Sequence, residues 1–131
     1  MLNKLRDEIH RNAVEHGWWD EERTFGEIIA LCHSELSEAL EEYRQGNGST
    51  RIYYSCPHKN DGYCPYFVCS PEKCRHYLAH KKPEGIPIEL ADCIIRILDY
   101  CGKEGIDIEE AIRLKMQYNK TRPYKHGGKR L

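Results

Sequence analysis

The sequence predicts an all-α fold, formed by four helices within a single domain that spans residues 1–131. Apolar residues recur at helical spacing in four segments, and no segment of comparable length alternates as a strand does. The chain is 40% hydrophobic and 31% charged, which is typical of a globular protein with one core. No apolar run approaches the roughly 20 residues of a membrane-spanning helix, and the first residues lack the apolar core of a secretion signal. We therefore expect a cytoplasmic protein without a membrane partner.

The first two helices are expected over about 2–16 and 24–44. The first carries apolar residues at helical spacing, and a glycine follows the end of each helix. Thr24 and Glu27 form a capping-box pattern, which indicates the start of the second helix.

The third and fourth helices occupy the second half of the chain. The third is expected from about Pro87, which suits a first helical turn, to Gly102. Asp107 and Glu110 repeat the capping pattern at the start of the fourth helix, which has to end before Pro123.

An irregular, Cys-rich insertion at residues 47–86 separates the second and third helices. Four of the seven cysteines lie in it, separated by seven, four and four residues: Cys56, Cys64, Cys69 and Cys74. Four thiolates fit tetrahedral zinc, which would order such a loop; an iron–sulfur cluster and plain reduced thiols are the alternatives. The other three, Cys32, Cys93 and Cys101, are expected to be small core residues.

Carboxylates border the apolar face of the second helix. At about 100° per residue, Glu35 lies at the edge of that face, Glu38 follows one turn later and Glu42 lies near the same line. The third helix is apolar around most of its circumference, so its narrow polar stripe should be semi-buried. That stripe consists of Glu89, Asp92, Arg96 and Asp99.

Two acidic stripes packed against each other would repel unless a cation lay between them. Carboxylate oxygens favour Mg²⁺, which also keeps water molecules and phosphate oxygens among its ligands. The predicted magnesium ligands are Glu35, Glu38, Glu89 and Asp92.

The fourth helix changes character along its expected inward face. The face begins with three apolar residues, Ile108, Ala111 and Ile112, and continues with Lys115, Asn119 and Arg122. This row of cationic and amide groups is a candidate clamp for phosphate. Each pattern alone also fits an ordinary solvated helix face, but their combination favours a site.

Three segments together resemble the MazG-like nucleoside triphosphate pyrophosphohydrolases, within the all-α NTP pyrophosphatase superfamily. The segments are HSELSEALEEYR, ELADCIIRILDYCGKEGIDIEEAI and KMQYNKTRPYKHGGK, and the likeness covers about residues 8–46 and 84–129. The resemblance implies a helical bundle completed by oligomerisation, as a homodimer or homotetramer. It also implies Mg²⁺-dependent cleavage of a (deoxy)nucleoside triphosphate between the α and β phosphates, which gives a monophosphate and pyrophosphate.

The family's motifs correspond to particular residues of this chain. Its ExxE resembles Glu35 and Glu38, its ExxD resembles Glu89 and Asp92, and its later Lys and Asn resemble Lys115 and Asn119. We assign Glu38 as the group that positions or deprotonates the attacking water, and we add Arg122 to the substrate-binding residues. The insertion departs from the compact family members, which have a short connection at this place.

Other functions remain open at this point. Phosphoribosyl-ATP pyrophosphohydrolase is a related enzymatic alternative. A second alternative is a binding module, in which the Cys-rich segment binds nucleic acid or protein on a helical dimer scaffold; a third is a catalytically silent regulator. The net charge of −1 divides into acidic stretches at 1–50 and 83–114 and basic ones at 51–82 and 115–131, so a nucleic-acid partner is not expected.

Overall fold

A computed structural model of the protein describes residues 1–55 and 81–124. The four clustered cysteines Cys56, Cys64, Cys69 and Cys74 lie outside the described residues, so the proposed zinc or iron–sulfur site of the insertion stays a prediction.

The described residues are mostly helical, which confirms the predicted all-α class. The helices are α1 (Leu2–Glu15), α2 (Phe25–Arg44), α3 (Ile86–Glu104) and α4 (Ile108–Lys120). Their bounds fall within two residues of the predicted ones. Among the helices of the described ranges, none combines the length and the hydrophobicity that crossing a membrane requires.

Side chains cap two of the helices. At the start of α2, Glu27 N–H donates to Thr24 Oγ1 (3.2 Å) and Thr24 N–H donates to Glu27 Oε2 (2.6 Å), so the predicted capping box is complete. At the start of α4, Asp107 accepts from Glu110 N–H (3.0 Å). The Glu110 carboxylate instead accepts from Arg113 Nε (2.6 Å), so α4 has a cap but not the predicted reciprocal pair.

Both ends of the insertion form short strands, where the sequence predicted irregular chain. Strand β1 (Tyr53–Ser55) pairs antiparallel with β2 (Lys82–Glu84). The register places Tyr53 opposite Glu84, Tyr54 opposite Pro83 and Ser55 opposite Lys82. The pairing of the two strands therefore determines their structure, because a run of three residues is too short to be recognised as a strand in the sequence.

The chain divides into two compact units, each described by itself below. Among the described residues, unit 1 comprises 1–28 and 95–124, and unit 2 comprises 29–55 and 81–94. The prediction of a single domain stays a prediction.

In unit 1, α1 packs against α4, and His10 of α1 also reaches a buried carboxylate of α3. The Asp99 carboxylate, which is only 6% exposed, accepts from His10 Nδ1 (2.7 Å) and from Trp19 Nε1 (2.9 Å). The guanidinium of Arg23 lies 3.9 Å from the centroid of the Trp18 ring. The two tryptophans therefore act as anchors within this unit.

Among the described residues of unit 2 the buried apolar side chains are small: Cys32, Ala39 and Cys93. Cys101, in unit 1, is buried as well, so the assignment of these three helical cysteines to the core is confirmed.

Two predicted apolar faces are only partly covered. Three residues of the apolar face of α2 are exposed, namely Leu36, Leu40 and Tyr43. On α4, Ala111 and Ile112 are exposed, and no described residue of that helix is buried. The prediction that Ala111 and Ile112 face inward is therefore wrong for the single chain, because its described residues leave both side chains largely open to solvent.

Candidate metal centre

Two of the predicted motifs meet in unit 2. Glu35 and Glu38 lie three residues apart on α2, and Glu89 lies in the first turn of α3. One carboxylate oxygen from each of the three lies within 4.8 Å of the others. Side chains from α2 and α3 thus meet in an acidic cluster that neither helix forms alone.

Burial differs among the three carboxylates. Glu35 is 6% exposed and Glu89 is 5% exposed, whereas Glu38 is open to solvent. Withdrawing a carboxylate from water is costly unless a cation or donor compensates for the lost hydration. The cluster therefore combines two buried acids with one acid that water reaches.

The environment of Glu89 favours its protonated form. Its pKa is raised to about 7, chiefly by burial and then by the charge of Glu38, a hydrogen bond with Glu38 and the charge of Asp92, while the charge of Lys82 acts in the opposite direction. A bound cation would replace the proton and relieve the repulsion. A carboxylic acid with a pKa near 7 beside other carboxylates is typical of functional sites.

Asp92 lies one turn after Glu89 on α3 and is half-buried. Its charge raises the pKa of Glu89, so it flanks the acidic cluster. The group of atoms within 4.8 Å includes the other three predicted ligands but not Asp92. The structure thus brings together Glu35, Glu38 and Glu89 and leaves Asp92 at their border.

The donor set fits a hard divalent cation. All three clustered groups offer oxygen, and the described residues of the cluster include no thiolate or imidazole. Such a set matches Mg²⁺, which takes a few carboxylates and leaves positions for water and phosphate.

A hydrogen-bonded group that sequence reasoning did not assign continues the acidic line of α2. Tyr53 Oη donates to Glu42 Oε1 (2.7 Å), and Asn47 Nδ2 donates to Glu42 Oε2 (2.6 Å). The bond to Glu42 raises the pKa of Tyr53 to about 12, with burial and the charges of Glu42 and Glu84 adding to it, so the phenol stays a donor. The position of Glu42, four residues after Glu38, was the one sequence feature that indicated this group.

The strand pair adds a second carboxylate to this group. Ser55 Oγ donates to Glu84 Oε1 (2.9 Å), and Lys82 Nζ lies 3.8 Å from the same oxygen. The base of the insertion therefore carries one acid and one cation next to each other. Sequence reasoning missed Lys82, because nothing in the pattern showed that the insertion returns to α3 through a strand.

The predicted phosphate clamp belongs to unit 1. Lys115 and Asn119 are exposed on α4, and Arg122 is half-buried just beyond the end of that helix. The backbone N–H of Arg122 donates to the backbone carbonyl of Asn119 (3.2 Å). Lys115 Nζ lies 5.0 Å from the Tyr118 ring centroid. Their part in a site stays a prediction.

Comparison with known proteins adds no relative. No protein-family model matches the chain, and neither the curated proteins nor the solved structures include a significant match.

Proposed function

We propose that this chain is a Mg²⁺-dependent nucleotide pyrophosphohydrolase, which cleaves a (deoxy)nucleoside triphosphate between the α and β phosphates. The observation that carries the proposal is the acidic cluster of Glu35, Glu38 and Glu89, with oxygen atoms from two helices within 4.8 Å. Its geometry agrees with the motif pairing that the resemblance to MazG-like enzymes implies.

In this proposal Glu35, Glu38 and Glu89 hold the cation, with Asp92 at the border of the site. A bound Mg²⁺ neutralises charge on phosphate oxygens and lowers the pKa of a coordinated water. Glu38 is the clustered carboxylate open to solvent, so it is the one that can orient an attacking water or take its proton. Glu35 and Glu89, being buried, keep bulk water away from the inner side of the cluster.

Lys115, Asn119 and Arg122 are the proposed phosphate-binding residues. Ammonium and guanidinium groups form charge-assisted hydrogen bonds with phosphate oxygens, and an amide adds a neutral donor. Holding the triphosphate chain in line for attack on the α phosphorus is a large part of such catalysis.

The test is release of pyrophosphate from a panel of ribo- and deoxyribonucleoside triphosphates and phosphoribosyl-ATP, with Mg²⁺ and with EDTA. Glu38→Gln preserves size and removes the charge, so we expect it to lower turnover by a factor of about 100 or more. Glu41→Gln is the matched control, because Glu41 lies on the same helix in an exposed pair with Arg44 (3.7 Å).

Mg²⁺-dependent formation of monophosphate and pyrophosphate by the wild type and by Glu41→Gln supports the proposal. Turnover restricted to phosphoribosyl-ATP would reassign the substrate. Absence of turnover on the whole panel, with folded protein that binds Mg²⁺, would refute the pyrophosphohydrolase function.

We also propose that the chain forms a homodimer or homotetramer. Three exposed apolar side chains follow one another at helical spacing on α2, namely Leu36, Leu40 and Tyr43, and α3 exposes Leu90 and Ile94. Contiguous apolar surface of this kind is uncommon on monomers and typical of interfaces. A second copy of the chain is the proposed cover, in agreement with the family resemblance.

A further inference from the structure

Helix α2, which carries two members of the acidic cluster, is tied to the first strand of the insertion. Glu42 lies one turn after Glu38 on α2, and Tyr53 Oη of β1 donates to Glu42 Oε1 (2.7 Å). Asn47 Nδ2 donates to Glu42 Oε2 (2.6 Å), so both oxygens of this half-buried carboxylate accept a hydrogen bond. A side-chain hydrogen bond therefore joins the later part of α2 to β1.

The corresponding tie to α3 is made by the backbone of Gly85, which directly follows β2. Its carbonyl oxygen accepts from the N–H groups of Ile88 (2.9 Å) and Glu89 (3.1 Å) in the first turn of α3. Gly85 is buried and has φ +119°, and a Cβ at this position would collide with Arg51 O, so only glycine allows this close approach. The turn that carries Glu89 is therefore held against the chain that enters β1.

The strand pair of β1 with β2 connects the two ties. Its antiparallel register places Tyr53 opposite Glu84, the residue before Gly85. Among the described residues of unit 2, the buried apolar side chains are those of two cysteines and one alanine. Such small side chains bury little apolar area and contribute little to fixing the spacing of two helices. The hydrogen-bonded ties are thus well placed to set the position of Glu89 relative to Glu38.

We propose that the strand pair positions the metal ligands of the two helices, with Tyr53 and Gly85 as its positioning residues. Neither residue contacts the cation in this proposal. Tyr53 acts through Glu42 and α2, whereas Gly85 acts through the first turn of α3. The proposal rests on the proposed function, because the cation is the one assigned to the acidic cluster. It extends that function by giving the base of the insertion a part in the affinity for the cation.

Removal of the Tyr53 hydroxyl distinguishes positioning from electrostatics, because the two effects have opposite directions. Tyr53→Phe changes no charge and removes a donor from Glu42, which leaves that carboxylate more attractive to a cation. An electrostatic effect alone would therefore leave Mn²⁺ affinity unchanged or raise it. Loss of positioning should instead weaken Mn²⁺ binding by about threefold to tenfold, somewhat less than the loss of a group bonded directly to a metal ligand.

The experiment titrates the full chain with Mn²⁺, which prefers oxygen ligands as Mg²⁺ does, and measures the free ion by electron paramagnetic resonance. Tyr54→Phe is the matched control, because Tyr54 is the next residue of β1 and is 57% exposed. Asp99→Ala removes a buried acceptor in unit 1, so it lowers stability without altering the strand pair. Glu35→Gln removes a charged ligand and identifies the binding that belongs to the acidic cluster.

We expect Tyr53→Phe to weaken Mn²⁺ binding, whereas Tyr54→Phe and Asp99→Ala should bind Mn²⁺ as the wild type does. Gly85→Ala should weaken it further, because the added Cβ forces the chain at Arg51 away from the start of α3. Thermal unfolding shows whether each variant is folded at the temperature of the titration. If Gly85→Ala does not fold, Tyr53→Phe decides the test.

An unchanged Mn²⁺ affinity in Tyr53→Phe would overturn the proposal. So would equal weakening in Asp99→Ala, which would show a general effect of lower stability, or a wild type whose Mn²⁺ binding is absent or insensitive to Glu35→Gln. Failure of the proposed function is separate. If no nucleotide is hydrolysed while Tyr53→Phe selectively weakens Mn²⁺ binding, the positioning role stands and the hydrolase does not; hydrolysis with unchanged Mn²⁺ affinity in Tyr53→Phe gives the reverse.

Discussion

His10 and Asp99 join α1 to α3 in unit 1 through a contact of 2.7 Å between Nδ1 and Oδ1. Trp19 Nε1 donates to the same carboxylate, which is 6% exposed. Asp99 continues the polar stripe of Glu89 and Asp92 in the sequence, yet its partners give it a structural task. Carboxylates on the same face of α3 therefore need not have the same role.

The first prediction concerns the stability that Asp99 provides. Asp99→Ala leaves the N–H groups of His10 and Trp19 without their acceptor in a partly buried place, which should lower the free energy of unfolding by about 1–3 kcal/mol. Glu104→Ala, at an exposed site on the same helix, should change it by less than about 0.5 kcal/mol. Urea denaturation measures both, and equal midpoints would contradict this role for Asp99.

The second prediction contrasts two helical glycines. A Cβ at Gly102 would lie 2.5 Å from His10 Cβ and 3.3 Å from Arg6 O, so Gly102→Ala should destabilise by about 1–3 kcal/mol through overpacking. At Gly26 the nearest atom would be Thr24 Oγ1 at 3.8 Å, so Gly26→Ala should stabilise α2 by up to about 1 kcal/mol. Thermal or urea unfolding should therefore show shifts of opposite sign; the same sign for both would contradict the packing at Gly102.

The third prediction is a pH dependence caused by Glu89. Its pKa is raised to about 7, first by burial and then by Glu38, from an ordinary value of 4.5. The folded protein thus binds this proton more tightly than the unfolded chain does. The contribution is complete below pH 4.5 and is lost as the pH rises through about 7. Without divalent cation, Glu89→Gln should gain stability relative to the wild type across that window.

Urea denaturation of the two proteins between pH 4.5 and 8.5 measures this difference. Adding Mn²⁺ should remove most of the wild-type loss at pH 8, because the cation takes the place of the proton. A stability difference between the two proteins that stays constant with pH would be inconsistent with the raised pKa.

The fourth prediction separates two adjacent tyrosines of β1. Tyr53→Phe removes the donor to Glu42 Oε1 and should cost about 0.5–1.5 kcal/mol of stability. Tyr54, on the opposite side of the strand, is 57% exposed, so Tyr54→Phe should have almost no effect. If the two variants unfold at the same urea concentration, the hydroxyl of Tyr53 contributes nothing.

The fifth prediction tests the homo-oligomer. Leu40→Glu places a charge in the exposed apolar row of α2 and should shift the chain to a smaller species in sedimentation velocity. Ser37→Glu adds the same charge at another exposed position of α2 and should leave the assembly intact. A wild type that sediments as a monomer at micromolar concentration would refute the assembly.

The predictable parts of the molecule are those that local chemistry determines. Helix bounds followed from caps such as Thr24 with Glu27, and the meeting of Glu35 and Glu38 with Glu89 followed from the faces that these residues share with buried ones. The sequence did not show the pairing of β1 with β2, because a three-residue strand has too few residues to show alternation.

Roles that depend on a distant partner were also missed. Asp99 is an ordinary residue of the polar stripe until His10 and Trp19 reach it. The exposure of Leu36 and Leu40 was missed as well, because an apolar helix face in a sequence does not show whether the same chain covers it.

The pairing of β1 with β2 has a consequence for how the chain tolerates change in length. Because Ser55 and Lys82 are opposite each other in an antiparallel register, the two ends of the intervening stretch leave the body of unit 2 side by side. A loop whose ends already meet can be shortened, lengthened or exchanged at a free-energy cost that grows only slowly with its length. A change in the length of the intervening sequence therefore need not separate Ser55 from Lys82.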